Sequence, residues 1–320
     1  MLTYVIRRVL ILIPMAFIIC FLVYLGMELT PGDAVSYMIN PDALGSMDPD
    51  QLEALRQSLG LGQPFYVRFW SWFTSLLQGN FGYSLNGGVP ISDIVASRLP
   101  ATLELAAVAL VFSTIVGCVL GVASALKRGS KTDSVLTIIG MLGVSIPEFF
   151  FGLVAILVFG LNLGWFPVGG RSMPDYVTFW DRLPHLVMPS MVLSIMLTAG
   201  VMRYARSSML DALSRDFIKT ARSKGIPEWR VNVLHGFRVA LTPVVVLIGF
   251  RLPVLIGGSV IIEQVFQWPG IGNEFISAVR SQDYPVVMII ALMSVMAVLL
   301  ASLIVDILTA VIDPRVRLGD

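Results

Sequence analysis

The sequence predicts an all-α integral membrane protein with six transmembrane helices. Of its 320 residues, 56% are hydrophobic and 13% are charged, which is about half the charged share of a typical soluble domain. Three stretches, Val9–Met27, Leu105–Leu126 and Tyr284–Val305, contain no charged side chain. Each is long enough to cross a bilayer as a helix. These observations exclude a disordered chain and argue against an ordinary soluble domain.

The six spans follow from uninterrupted apolar length. We place them at about Val9 to Leu29, Ala101 to Leu126, Ser134 to Leu161, Leu183 to Tyr204, Val239 to Ile262, and Tyr284 to Ile312. The third is interrupted at Pro147, because proline removes a backbone donor and disfavours helix at the residue before it. The first span follows Arg7 and Arg8 but is longer than a signal-peptide core, so we expect it to be retained.

Lysine and arginine predict the orientation. With the N-terminus inside, 15 of the 22 basic residues lie on the inner side, as the positive-inside rule requires. Both termini are therefore expected to be cytoplasmic. We divide the chain into residues 1–30 with the first span, an extracytoplasmic loop over 31–100, a core over 101–312, and a cytoplasmic tail over 313–320.

The extracytoplasmic loop is expected to contain amphipathic helices. Asp48 precedes Pro49 and opens one helix that ends at Gly60, with cap residue types at both ends. After Pro64, an apolar stripe rich in aromatic residues recurs at helical spacing up to Gly79. A substrate surface is one interpretation of the stripe, and a helix lying at the membrane interface is the favoured one.

The inner loop, about residues 205–238, is the most charged part of the chain. Hydrophobic positions persist through it at helical spacing, and Lys224–Pro227 breaks the pattern. The loop is therefore predicted to fold as helix, turn, helix, with a surface that also suits contacts with membrane lipid.

The motifs of common enzymes are absent from the sequence. No Gly-Lys pair occurs, so a phosphate-binding loop is excluded. The two histidines, His185 and His235, lie far apart, and no Gly-x-Ser-x-Gly occurs. We expect no enzymatic activity, no cofactor and no bound metal, and the net charge of +1 gives no sign of a nucleic-acid partner.

Ordered motifs along the chain resemble one transporter family. The segment Asp216–Gly225 resembles the Glu-Ala-Ala-x-x-x-Gly loop of ABC-importer permeases, which Ala221 and Gly225 match. Further similar segments, in chain order, are Tyr4–Arg8, Thr30–Asp33, Arg98–Glu104, Ser145–Pro147, Arg206–Leu210, His235–Arg238, Leu241–Pro243, Trp268–Gly272, Asp283–Pro285 and Asp313–Arg315. Together they are similar to the B-type subunit of bacterial oligopeptide and dipeptide importers over nearly the whole chain.

The resemblance implies a type I ABC-importer permease fold in the bacterial cell membrane. It implies a paralogous permease subunit, two ATP-binding subunits and an extracytoplasmic substrate-binding protein as partners. The implied substrate is a peptide, with nickel or another small solute as alternatives within the family. A self-contained secondary transporter or channel is the rival class, but it would need internal inverted repeats and its own ion site.

The resemblance also implies which residues contact the ATP-binding subunit. They are Asp216, Lys219, Thr220, Ala221, Arg222, Lys224 and Gly225. We expect Ala221 and Gly225 to permit close approach, and the charged side chains to form ion pairs with the partner.

Two charged residues lie deep within predicted spans, where charges usually face a cavity or a partner. Glu148 and Arg251 lie at depths that differ by only a few ångströms at about 1.5 Å per residue. They are candidates for the translocation pathway. A direct ion pair is one possibility, and bonding to backbone carbonyls or to another subunit is the other. Asp306 is expected to have a structural role.

Overall fold

The structure is a computed structural model that describes residues 2–29, 48, 50, 54, 62–171 and 178–312. Its longer helices are α1 (Leu2–Glu28), α2 (Phe65–Leu77), α3 (Ile91–Leu126), α4 (Lys131–Ser145), α5 (Glu148–Ala155), α6 (Phe179–Ser214), α7 (Asp216–Ser223), α8 (Arg238–Gly258), α9 (Val260–Val265), α10 (Ile271–Arg280) and α11 (Tyr284–Ile312). Two π-helices, Ile156–Asn162 and Val231–Phe237, follow α5 and precede α8. The predicted helix after Asp48 and the tail over 313–320 lie outside the described residues, apart from isolated positions of the former.

The predicted six spans are confirmed when one bent pair is counted as a single span. Five helices within the described residues are individually long and apolar enough to cross a membrane. The sixth is α4 followed by the helical stretch Glu148–Asn162, with a bend of 97° between them. The bend lies at Pro147, because Ile146 before it is extended (φ −95°, ψ 131°) and residues before proline avoid the helical region.

Two spans are longer than their hydrophobic segments. Helix α3 begins at Ile91 rather than Ala101, and α6 runs to Ser214 rather than Tyr204. Hydropathy marks only the part of a helix that suits lipid, and a helix continues as long as its backbone hydrogen bonds are made. Helix α6 starts at a capping box formed by Thr178 and Asp181, and its 36 residues extend about 54 Å.

The chain divides into two compact units, residues 101–272 with 300–320 and residues 2–100 with 273–299. In the first unit, α3 and α6 pack closely because α3 presents small residues. A Cβ on Gly121 would lie 2.6 Å from the Met202 carbonyl oxygen, and one on Gly117 would lie 2.7 Å from Val201 Cβ. Small residues allow this backbone approach in membrane helices. The largest buried side chains of the unit's core are Trp268 and Phe266.

In the second unit, the aromatic stripe of α2 packs on α1. Phe69 is buried, and Phe21 and Phe73 lie 5.4 Å and 5.8 Å from it between ring centroids. The Tyr24 ring lies 5.1 Å from that of Trp72 between centroids, tilted by 39°. The predicted amphipathic helix is present, but its stripe is covered by the first span. The stripe is therefore used in packing within this unit, while Tyr66 and Trp70 of the same helix stay exposed.

Candidate functional site

The loop between α6 and α8, residues 215–237, is a folded body, as the sequence predicts. Helix α7 is followed by a turn at Gly225 (φ +74°) and one helical turn after Pro227. Ile218, Ala221 and Val231 are buried together, with Leu213 and Ile226 packed against them. We call residues 215–237 the α6–α8 loop. Its small apolar core holds the loop as one piece.

The solvent-exposed face of the α6–α8 loop carries charged side chains that form ion pairs with one another. Lys219 Nζ donates to Asp216 at 2.9 Å, and Arg222 Nε donates to Glu228 at 2.8 Å. All four side chains are exposed. Thr220 and Lys224 are exposed as well. Side chains that pair within the loop hold their charges in fixed positions, which suits a surface that meets a complementary one.

Two exposed aromatic residues on the α6–α8 loop were missed by the sequence analysis. Trp229 is 61% exposed and Phe217 is 38% exposed. The Arg230 guanidinium carbon lies 5.2 Å above the Trp229 ring. Exposed tryptophan and arginine are the residue types that dominate binding energy at interfaces. Apolar residues at helical spacing from Trp229, Ile226 and Val233, gave no sign in the sequence that its side chain would be exposed.

Ala221 and Gly225, which were expected to permit the close approach of a partner, shape the loop itself. The structure buries Ala221 at 6% exposure inside the loop's own core, so it is not a surface at which a partner approaches. A Cβ on Gly225 would meet nothing within 4 Å. Glycine is required there because its φ is positive, a conformation that other residues rarely adopt. Both residues shape the loop, and the exposed contacts come from their neighbours.

The returning arm of the α6–α8 loop packs on α6 and α3. Met209 is fully buried with Ala125, Ala212 and Ala240 around it. A Cβ on Gly236, in the π-helix, would lie 3.0 Å from the terminal methyl carbon of Met209. The loop is thus seated directly on the end of the α3–α6 pair.

A partly buried polar cluster, which was not predicted from the sequence, lies next to that seat. The Asp133 carboxylate at the start of α4 accepts hydrogen bonds from Ser124 Oγ at 2.5 Å and Gly129 N at 3.0 Å. Arg206 donates to both carboxylate oxygens, from Nε and Nη2, at 2.9 Å each. Arg206 Nε also lies 3.0 Å from Ser124 Oγ. We call these four residues the Asp133 cluster.

The two candidate pathway residues have different surroundings in the structure. Arg251 faces α6, where a Cβ on Gly200 would lie 2.8 Å from its Nη2. Glu148 occupies the first turn of α5 and is partly exposed. Over residues 62–171 and 178–312, the ion pairs that the structure forms include neither Glu148 nor Arg251. Arg251 therefore lies against the protein interior, and a direct pair with Glu148 is not formed within these ranges.

A fully buried carboxyl group, Glu263, organises the Trp268–Gly272 motif. Thr102 Oγ1 donates to Glu263 Oε1 at 2.7 Å and accepts from Ile271 N at 2.8 Å. A Cβ on Gly272 would lie 2.9 Å from Glu263 Oε2. The carboxyl group therefore leaves no room for a side chain at this glycine of the motif. Glu263 was not predicted from the sequence, because it follows the predicted end of the fifth span by one residue.

Groups that commonly bind metals are dispersed in the described part of the chain. No three His, Cys, Asp or Glu side chains lie close enough there to hold a metal ion. Cys20 and Cys118 are free and buried. The polar clusters above are built from hydrogen bonds and ion pairs.

Comparisons with known proteins agree over the whole chain. The family model described as "Binding-protein-dependent transport system inner membrane component" matches residues 113–318, and its N-terminal companion matches residues 1–106. The chain is 41% identical to an oligopeptide transport system permease protein of Bacillus subtilis over 319 residues, with 99% of this chain and 100% of the relative covered. It is 38% identical to a glutathione transport system permease protein of Escherichia coli K12, with 99% of each chain covered.

A solved structure shares the fold. A crystal structure titled as an amino acid ABC transporter with histidines superposes with a TM-score of 0.50 at 18% identity. The match covers 68% of this chain and 94% of that one. With several apolar helices and these relatives, the protein is a multi-pass component of the bacterial inner membrane. The chain belongs to the family of inner membrane components of binding-protein-dependent transport systems.

Proposed function

We propose that this chain is one of two permease subunits of a peptide ABC importer. Its partners would be a paralogous permease, two ATP-binding subunits and an extracytoplasmic substrate-binding protein. The observation that carries the proposal is the α6–α8 loop, a rigid charged body on the end of a helix about 54 Å long. The relatives named for oligopeptide and glutathione transport support a peptide substrate.

The α6–α8 loop is proposed to dock on an ATP-binding subunit. The exposed side chains of Asp216, Lys219, Thr220, Arg222 and Lys224 would contact it, with Ala221 and Gly225 maintaining the loop's shape. The distribution of basic residues supports a cytoplasmic position for this loop. That is the side on which ATP is available, and the chain itself carries no phosphate-binding motif.

Transport would proceed by alternating access. Closure of the ATP-binding subunits would move the two permease subunits as bodies, opening the pathway to one side and then to the other. Because α6 contains no proline between Met191 and Ser214, a displacement of the loop would be carried along this part of the helix, up to the prolines Pro184 and Pro189 in its first turns.

Arg251 and Glu148 are proposed to face the translocation pathway of the assembled permease pair. A guanidinium at bilayer depth is costly unless it meets a counter-charge or a cavity. A peptide brings a terminal carboxylate, which Arg251 would offset during passage. Arg251 already lies against α6 at Gly200, so its charge is held within the protein.

The test is ATP-driven uptake by the complete complex. The chain, its paralogue, the ATP-binding subunits and the binding protein are reconstituted into vesicles, and the accumulation of labelled dipeptides and oligopeptides is measured with and without ATP. The proposal predicts accumulation that requires both ATP and the binding protein. Accumulation driven by an ion gradient without ATP would indicate the rival class of secondary transporter. Nickel uptake without peptide uptake would overturn the peptide assignment.

A further inference from the structure

The Asp133 cluster joins three spans at one carboxylate. Oδ1 accepts from Ser124 of α3 and from Arg206 of α6, and Oδ2 accepts from Arg206 and from Gly129 N in the α3–α4 turn. Asp133 itself belongs to α4, and its side chain is 9% exposed. Four donors fill the acceptor sites of an ionised carboxylate. Donors of this chain therefore occupy all the acceptor sites of the Asp133 carboxylate.

The cluster lies where α3 and α6 already touch through their backbones. Gly121 of α3 packs on the Met202 carbonyl and on Arg206 N. Ala125, one turn further along α3, is buried against Met209. A helix pair in such close contact resists separation, but small residues alone do not prevent sliding or rotation. The bidentate Arg206–Asp133 pair adds a fixed direction, since the guanidinium fork matches a carboxylate in one geometry.

The cluster is also close to the α6–α8 loop. Arg206 precedes the end of α6 at Ser214 by eight residues, about 12 Å along the helix. The seat of the loop at Met209 lies between the two. A displacement of α7 would therefore move Arg206 before it moves the apolar part of α6.

We propose that Arg206 and Asp133 are positioning residues that convert movement of the α6–α8 loop into joint displacement of α3, α4 and α6. Without the cluster, the end of α6 would bend or rotate alone, and ATP hydrolysis would continue with less transport. The proposal rests on the proposed function as an ATP-driven importer. It differs from a role in stability alone, because a bidentate pair fixes one arrangement of the three helices whatever its net contribution to stability.

The first experiment separates coupling from assembly. Arg206→Met, Arg206→Lys and Asp133→Asn are compared with Arg203→Met, which removes an exposed arginine one turn away on the same helix. Peptide uptake and ATP hydrolysis are measured on the same vesicles, per assembled complex. For Arg206→Met and Asp133→Asn we expect uptake per ATP to fall about tenfold, since couplings between sites commonly span 5–150-fold. Arg206→Lys should fall between these variants and wild type, because lysine keeps the charge but not the fork.

The outcomes distinguish the two proposals. A wild-type complex without ATP-driven uptake would contradict the proposed function itself. A coupled wild type with unchanged uptake per ATP in Arg206→Met would overturn the role of the cluster only. Uptake and hydrolysis that decline together with the yield of complex would show a structural role, and would also overturn it.

A distance measurement tests the joint displacement directly and uses neither the Arg206 nor the Asp133 variants. Spin labels are placed at Lys127, in the α3–α4 turn, and at Ser214, the end of α6, after Cys20 and Cys118 are replaced by serine. In the wild-type complex we expect the same distance in the resting state and in the state trapped with ATP. A shift between the two states would overturn the proposal.

Discussion

The hydroxyl of Thr102 is predicted to hold the Glu263 region together, and an isosteric substitution measures its contribution. Thr102→Val keeps the volume but removes one donor and one acceptor in a fully buried place. Glu263 Oε1 loses a bond of 2.7 Å and keeps the one of 3.0 Å from Ser259. The Ile271 amide loses the acceptor at 2.8 Å.

The magnitude follows from those two losses. A buried polar group left without its partner costs roughly 1–3 kcal/mol. The Ile271 amide loses its acceptor entirely, whereas the Glu263 carboxyl group keeps one of its donors. We therefore expect the free energy of unfolding to fall by about 2–4 kcal/mol in total. Thr198→Val is the matched control. The Thr198 hydroxyl is buried and has no hydrogen-bond partner in the described residues, so its removal should be neutral or slightly stabilising.

The assay is thermal unfolding of the purified chain in detergent, followed by a dye that becomes fluorescent on reaction with thiols. Cys20 and Cys118 are both free and buried, so they react only when the fold opens. We expect the midpoint for Thr102→Val to fall by several degrees, since the shift is about 2–4 °C per kcal/mol for chains of about 150–250 residues and smaller for longer ones. Equal midpoints for Thr102→Val and Thr198→Val would refute the assignment of Glu263 and Thr102 as an organising pair.

Three further predictions follow from the site. Trp229→Ala should leave the unfolding midpoint unchanged, because the side chain is exposed, and should weaken binding of the ATP-binding subunit by about tenfold or more, as truncated interface tryptophans do. The control is Trp180→Ala, which also removes an exposed tryptophan. Equal binding by both variants in a pull-down titration would contradict the role of Trp229. Gly200→Ala should push the guanidinium of Arg251 off α6, because the new Cβ would lie 2.8 Å from its Nη2, and reduce peptide uptake with little loss of stability; normal uptake would show that the position of Arg251 is unimportant. The chain purified without partners should release no phosphate from ATP above a mock purification, and clear turnover would contradict the absence of a nucleotide site.

The sequence predicted the spans well where hydropathy alone determines them. The sixth span, Tyr284 to Ile312, has the limits of α11, and the break at Pro147 follows from proline stereochemistry. The limits of α3 and α6 were less predictable. Their ends are polar or charged, and only the backbone hydrogen bonds show that the helices continue there.

The buried polar clusters could not be predicted from the chain. Asp133 and Arg206 are 73 residues apart, and Thr102 and Glu263 are 161 apart. No local pattern states which distant donor a carboxylate will meet. Similarly, the sequence placed Glu148 and Arg251 at similar depth, but depth does not fix the direction in which a side chain leaves its helix. The helix-turn-helix form of the α6–α8 loop was predictable because it is local, whereas the burial of Ala221 against Val231 required the folded loop.

Site-specific cross-linking of the α6–α8 loop tests the central claim, that separate ATP-binding subunits drive this chain through that loop. Ser223→Cys places a thiol on the exposed end of α7, and Ser92→Cys places one at an exposed position of α3 on the predicted opposite side of the membrane. In a transport-active complex, the account predicts a cross-link from Ser223→Cys to an ATP-binding subunit that stops uptake and is reversed by reduction, and none from Ser92→Cys. ATP-driven uptake without any cross-link from Ser223→Cys, or equal cross-linking from both positions, would contradict the account.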